Sequence, residues 1–270
     1  MNGNVPDQAV RIESHRVPEH VTYKNPPVKE AVCEFRFSGG VWDAALPGLI
    51  YVRLKDRFPE RRMSQVLNLL TPSGGGAGTP PGFQVAQFVQ FVQTDGCAFV
   101  QLAPNVLSIH HLAPYSGWST FQPLIERVWG AYVSEAKPEG IARIGLRYVN
   151  DLRIINADPL NPEAYLNFYP HIGSELPQDY IDASMSVLFV EGVDSLEALR
   201  AQFSTLRIPE EKRATLALDL DCFSSDKAQI GLSDALSRVE QFHERVRAVF
   251  EACITDKLRD LLEPLAVVNH

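Results

Sequence analysis

Alternating apolar and polar residues mark the first strand. Cys33, Phe35 and Phe37 alternate with Glu34 and Arg36, the period of two expected when one strand face is buried. Asn25-Pro26-Pro27 precedes this run and Ser38-Gly39-Gly40 ends it. The period then becomes helical over residues 43–58, where Leu46, Leu49, Ile50 and Leu54 share a face. Pro47 fits such a helix only in its first turn. Residues 83–93, 97–103 and 106–112 predict three strands in a meander, turning at Asp95-Gly96 and Pro104-Asn105. Gln84, Gln87, Gln90 and Gln93 recur every third residue, so a strand there must bury and bond some of these amides. A helix begins at Ser119 or Thr120, with Phe121, Leu124, Ile125, Val128, Trp129 and Tyr132 as its stripe. Pro123 is tolerated in its first turn, which makes Thr120 the expected cap.

After Pro138 the pattern starts again. Residues 141–155, 183–191 and 213–223 predict strands, and 159–169 a short helix. Residues 232–262 predict one long helix whose apolar positions, from Leu232 and Leu236 to Leu258 and Leu261, hold their spacing. Residues 195–208 fit two periods. Leu196, Leu199, Phe203 and Leu206 suit a helix, whereas Leu199, Ala201 and Phe203 suit a strand.

An internal repeat decides for the strand. Pro27, Ala31, Phe35, Arg36 and Phe37 align with Pro138, Ala142, Leu146, Arg147 and Tyr148 at one constant offset. The expected class is α+β: an internal duplication of a β-α-β-β-β-α unit, with mainly antiparallel sheet covered on one face by long helices, in the manner of saddle or helix-grip folds. Residues 1–24 read as a weakly ordered arm, 25–136 as the first half and 137–270 as the second, packed together as one unit. Whether the halves share one sheet is left open by the pattern alone. Such folds carry many functions, so the architecture does not choose among them.

Composition narrows the function classes. Lys and Arg number 25 against 33 Asp and Glu, for a net charge of −8, which disfavours nucleic acid and anionic membrane as partners. No apolar run is long enough to span a bilayer, and no secretory leader is expected. Cys33, Cys97, Cys222 and Cys253 are far apart and form no CxxC; they read as reduced thiols of a cytoplasmic protein. The glycine-rich run at 71–82 lacks the GxxxxGK[ST] pattern and any Lys or Arg, so it reads as an inserted loop.

Several segments are distinctive: residues 23–37, Trp42-Asp43, Pro47-Gly48, residues 109–118 and residues 144–150. In these the chain resembles a sporadically distributed family of uncharacterised prokaryotic proteins of similar length, from Tyr23 to the end of the final helix. The resemblance implies a prokaryotic source and a patchily inherited gene. It implies no reaction and no catalytic residue, and the glycine-rich run lies outside it.

Three constellations carry candidate chemistry. With Phe35 and Leu146 facing the core, Arg36 and Arg147 both point to the opposite sheet face, where two guanidiniums can clamp a carboxylate or phosphate; Glu34 and other acids can equally pair with them. Asp219 and Asp221 share the face opposite Leu216, Leu218 and Leu220, suited to a cation or to acid and base roles, or to pairing with Arg36, Arg147 or Arg153. His110 and His111 precede Tyr115 and Trp118 at a helix start; adjacent strand positions face opposite ways, so the two imidazoles do not share an ion. Tyr115 and Trp118 can form a stacking wall or simply staple the loop. Residues 158–180, rich in Pro and Tyr, suit a lid or a satellite core. No metal and no cofactor is expected.

The expected function is a non-catalytic binding module recognising a small anionic ligand or a partner protein on a polar sheet face. One alternative is an enzyme in which Arg36 and Arg147 hold an anionic substrate and His110 or Asp219 moves a proton. Another is a nucleic-acid binder using a concave sheet. The length of the last helix makes it a candidate homodimer contact.

Overall fold

The structure, a computed structural model, describes residues 21–39, 42–70, 82–155, 161–178, 180–190, 192, 195–208, 213–225, 228 and 230–265. Its strands are β1 (Val28–Ser38), β2 (Glu60–Leu70), β3 (Gly82–Val92), β4 (Ala98–Ala103), β5 (Val106–Leu112), β6 (Gly140–Ile155), β7 (Asp182–Val190), β8 (Glu197–Ile208) and β9 (Arg213–Ser224). They form one antiparallel sheet in the order β2-β3-β4-β5-β1-β6-β9-β8-β7. The central seam is the pairing of β1 with β6, in which Cys33 faces Leu146 and Phe35 faces Ile144. The chain therefore makes one continuous sheet from strands of both sequence halves.

One sheet face carries the core. Cys33 and Phe35 of β1, Ile109 of β5, Ile144 and Leu146 of β6, and Leu218 and Leu220 of β9 are fully buried. They pack with side chains from α1 (Leu46–Leu54), α2 (Trp118–Ala136) and α3 (Ala235–Cys253). Ile50, Ile125, Val128 and Phe242 are among the most buried helical contributors, each stabilising the fold by about 1.5–3 kcal/mol through the apolar area it removes from water. Trp129 of α2 lies 4.6 Å from Phe35, and Tyr132 stacks on Phe37 at 4.5 Å between centroids. These contacts fix α2 across the middle of the sheet.

Residues 195–208 take the strand conformation as β8, because Leu199, Ala201 and Phe203 line up with the buried face of β9. Four expectations need correcting. An additional strand, β2, lies between α1 and β3, so the first half has four strands after its opening helix rather than three. The expected helix at 159–169 is, among the described residues, a single 3-10 turn at Pro162–Ala164. Helix α2 starts at Trp118 with Gly117 at its N-cap, so Pro123 sits in the second turn, not the first. The long last helix is broken: α3 ends at Cys253, Ile254 is extended, and α4 (Asp256–Leu262) restarts with Thr255 as its cap.

The break has tertiary causes. Asn167 donates to the carbonyls of Ala252 and Ile254, and Thr255 Oγ1 donates to the Ala164 carbonyl. Residues 164–169 thus supply the partners that the interrupted helix would otherwise supply to itself. With Leu166 fully buried and Tyr165, Phe168 and Tyr169 against the core, this part of the aromatic segment is a satellite core. The N-terminal arm falls mainly on residues 1–20 and the glycine-rich run on 71–81, both outside the described residues.

Because Phe35 joins the seam to α2, Phe35→Ala should lower unfolding free energy by about 3–5 kcal/mol in urea titrations. A loss below about 1 kcal/mol would show that this contact does not hold the helix layer to the sheet.

Candidate functional site

The face opposite the core is polar, and strand alternation assembles it. Glu30, Glu34 and Arg36 of β1, Ser108 and His110 of β5, Arg143 and Arg147 of β6, Asp219 and Asp221 of β9, and Arg200 of β8 all project there, as the paired register requires. Glu34 is the centre. Its Oε1 accepts from Arg36 Nε at 2.8 Å and from Arg143 at 2.7 Å. Arg143 continues to Asp221 at 3.5 Å and lies over the Phe223 ring, with its guanidinium carbon 4.6 Å from the centroid. Arg200 approaches the same ring at 5.5 Å.

Arg147 grips Asp219 with two hydrogen bonds, from Nε at 2.8 Å and from Nη2, and the bond holds its guanidinium charge more firmly than usual. Arg36 and Arg147 do share one face. They do not converge, because Arg36 lies opposite Arg143 while Arg147 lies opposite Val32, a separation of about 13 Å along the strands. Each is held by its own carboxylate. Arg36 and Arg147 nevertheless keep about half of their side chains exposed (53% and 47%).

His110 belongs to this face. Its Nδ1 meets Glu30 Oε1 at 2.8 Å, its Nε2 meets Ser108 Oγ at 2.9 Å, and its ring stacks on Phe99 at 4.2 Å. The hydrogen bond to His110 holds the Glu30 carboxyl below its ordinary range. Asp221 is displaced the other way: burial pushes its pKa up, opposed by Arg143 and Arg147.

His111, Tyr115 and Trp118 lie on the helix side of the sheet. The Nδ1 of His111 sits 2.9 Å from the Leu112 carbonyl, which places a proton on that nitrogen, and Nε2 meets Ser116 Oγ at 3.2 Å. Tyr115 and Tyr148 hydroxyls meet at 3.2 Å, and Tyr148 reaches His243 Nδ1 at 3.1 Å. His243 stacks on Trp118 at 4.0 Å, and the Trp118 indole donates to Glu240. Burial raises the Tyr115 pKa to about 12 and pushes Tyr148 up as well, so both remain phenols at neutral pH. The cluster joins the start of α2 to α3. It is separated from His110 and the arginines by the sheet itself.

Sequence reasoning passed over Glu30 and Arg143, although period-two spacing from Glu34 and Arg147 places both on the polar face. It also passed over Tyr148, Glu240 and His243, whose meeting with Trp118 depends on how the helices cross. A separate cleft of about 470 Å³ lies between residues 25–29, 151–154 and α4, with Asp151 and Arg153 on its wall. Among the described residues, no group of three His, Cys, Asp or Glu side chains is placed to hold a metal. No helix among the described residues is long and apolar enough to cross a membrane. The thiols of Cys33, Cys222 and Cys253 are buried, which raises their pKa values, to about 12 for Cys222 and about 11 for Cys253; they are poor nucleophiles at neutral pH.

The two displaced carboxyls predict opposite pH signatures. Glu30 has a lowered folded pKa, so its stabilisation is present above the unfolded value and lost on acidification through the folded one. Asp221 has a raised folded pKa, so its contribution is present below the unfolded value and lost as pH rises through the folded one. Relative to the native chain, Glu30→Gln should therefore lose stability as pH rises from about 3 to 6, and Asp221→Asn should gain it. Urea midpoints whose differences from the native chain change in the same direction with pH for both variants would contradict this arrangement.

No family model matches the chain, and no curated protein matches it.

Proposed function

We propose that the chain is a non-catalytic binding module that recognises a partner protein through the polar face of its central strands. The observation that carries this reading is the ion-pair lattice from Arg36 through Glu34 and Arg143 to Asp221, flanked by Arg147–Asp219 and His110–Glu30. Each of these arginines is accompanied by a carboxylate, which supports a broad, mixed-charge partner surface over a small anion or a nucleic-acid backbone. The half-exposed ends of Arg36 and Arg147 remain available for further hydrogen bonds. An enzyme would need His110 or Asp219 in a water-excluding pocket; they lie on the broad face, engaged by Glu30 and Arg147.

The same reading includes duplication of an ancestral half. The offset that carries Arg36 onto Arg147 carries Glu34 onto Gly145, and those two residues face one another across the seam. It also exchanges the facing pairs Cys33–Leu146 and Phe35–Ile144. Counting outward from the seam, β1-β5-β4-β3 corresponds to β6-β9-β8-β7, with β2 as an addition. A two-fold axis through Glu34 and Gly145 would make the recognition surface pseudo-symmetric, suiting a partner with repeated or paired features.

Photocrosslinking from the source cell tests the proposal. A crosslinker placed at the exposed position of Gln202 on the polar face should capture one discrete polypeptide, and one at Thr120 on α2 should not. Arg36→Ala and Arg147→Ala should each weaken binding of that polypeptide at least tenfold, while costing no more than about 1 kcal/mol of stability. Capture from both positions alike, or binding unaffected by both substitutions, would overturn it.

A further inference from the structure

The two outer strands of the sheet open differently. Strand β2 opens with Glu60-Arg61-Arg62, charges of the kind that discourage pairing with another chain, before an uncharged run from Met63 to Leu70. The opposite outer strand, β7, carries Asp182 at its start and then no charged residue and no proline through Val190. Among the described residues it pairs only with β8, so its outward backbone N–H and C=O groups form an open ladder. Leu188, Phe189 and Val190 at the end of β7 are exposed at 52%, 44% and 54%, and Ile181 and Leu206 at its start at 59% and 55%. A long, uncharged, apolar edge of this kind is a pairing surface.

From this we infer that β7 is a homodimer contact: it pairs antiparallel with β7 of a second copy about a two-fold axis through Ser186, extending the two sheets into one. The sequence of β7 is complementary to itself in that register. Leu188 falls opposite Ser184, Phe189 opposite Ala183 and Val187 opposite Met185, so the bulky end of one strand meets the small end of the other. Because 183–190 is uncharged, the axis brings no like charges together, and Asp182 meets Val190. Along the stripe of the last two helices Val239, Phe242, Val246 and Leu258 are already buried within the chain, and the exposed Leu261 (55%) stands at its end, on α4.

Sedimentation equilibrium of the full chain at tens of micromolar should give twice the monomer mass of 30.1 kDa. Leu188→Lys should return it to monomer, with an unchanged far-UV circular dichroism spectrum showing that it still folds. A second variant does not depend on weakening the contact. In a Cys97→Ser background, Ser186→Cys should form an intermolecular disulfide under mild oxidation, because the two side chains face each other across the axis, whereas Met63→Cys on β2 should not. A native chain that sediments as a monomer would overturn the inference. So would a dimer that survives Leu188→Lys and yields no disulfide through position 186, or a different polypeptide found paired with β7.

Discussion

The antiparallel pairing of β1 with β6 is the contact on which the rest of the molecule depends. It joins the first strand of each sequence half, aligns Phe35 with Ile144 and Cys33 with Leu146 on the buried side, and in doing so sets which residues meet on the other. A slip of β1 by one residue against β6 would turn Glu34 and Arg36 into the core and Phe35 into solvent. The cost of burying these charged groups makes that alternative inaccessible. The register is therefore specified from both faces at once: by close packing beneath Trp129 and by Glu34 bridging Arg36 and Arg143 above.

The two faces divide the chemistry in a way that bears on function. On the helix side, polar groups are arranged in closed chains. Tyr115, Tyr148 and His243 satisfy one another, and Trp118 lies over His243 with its indole nitrogen on Glu240. These contacts tie the start of α2 to α3 and, through Tyr148, to the sheet. On the opposite side the groups are paired but remain partly open to solvent. That contrast is why the polar face, and not the aromatic cluster, is the reading we favour for recognition.

Much of this was legible in the chain, and the parts that were not have identifiable physical reasons. Period-two alternation locates β1, β5, β6 and β9 and correctly separates His110 from His111, because adjacent strand positions must diverge. It misses β2, whose opening Glu60-Arg61-Arg62 reads as a solvated charge cluster rather than a strand. The break after Cys253 is invisible because the helical spacing continues through it; the groups that stabilise it, Ala164, Asn167 and Leu166, lie about ninety positions away. At the candidate site, the face of each arginine and aspartate follows from spacing alone. Which acid meets which arginine does not: the long-range β6·β9 register sets Asp221 opposite Arg147, yet Arg147 reaches diagonally to Asp219 and Asp221 pairs with Arg143. Tyr115 and Trp118 read from the sequence as a stacking wall, but the groups they hydrogen-bond, Tyr148 and Glu240, come from β6 and α3.

If the seam is the structural centre, its amides should open only when the whole sheet does. Native-state hydrogen exchange read by mass spectrometry tests this directly. The account predicts that peptides from β1 and β6 exchange most slowly and together, at the rate set by global unfolding, with protection falling outward toward β2 and β7. Earlier exchange in β1 and β6 than in the strands flanking them, or two halves that lose protection independently, would contradict it.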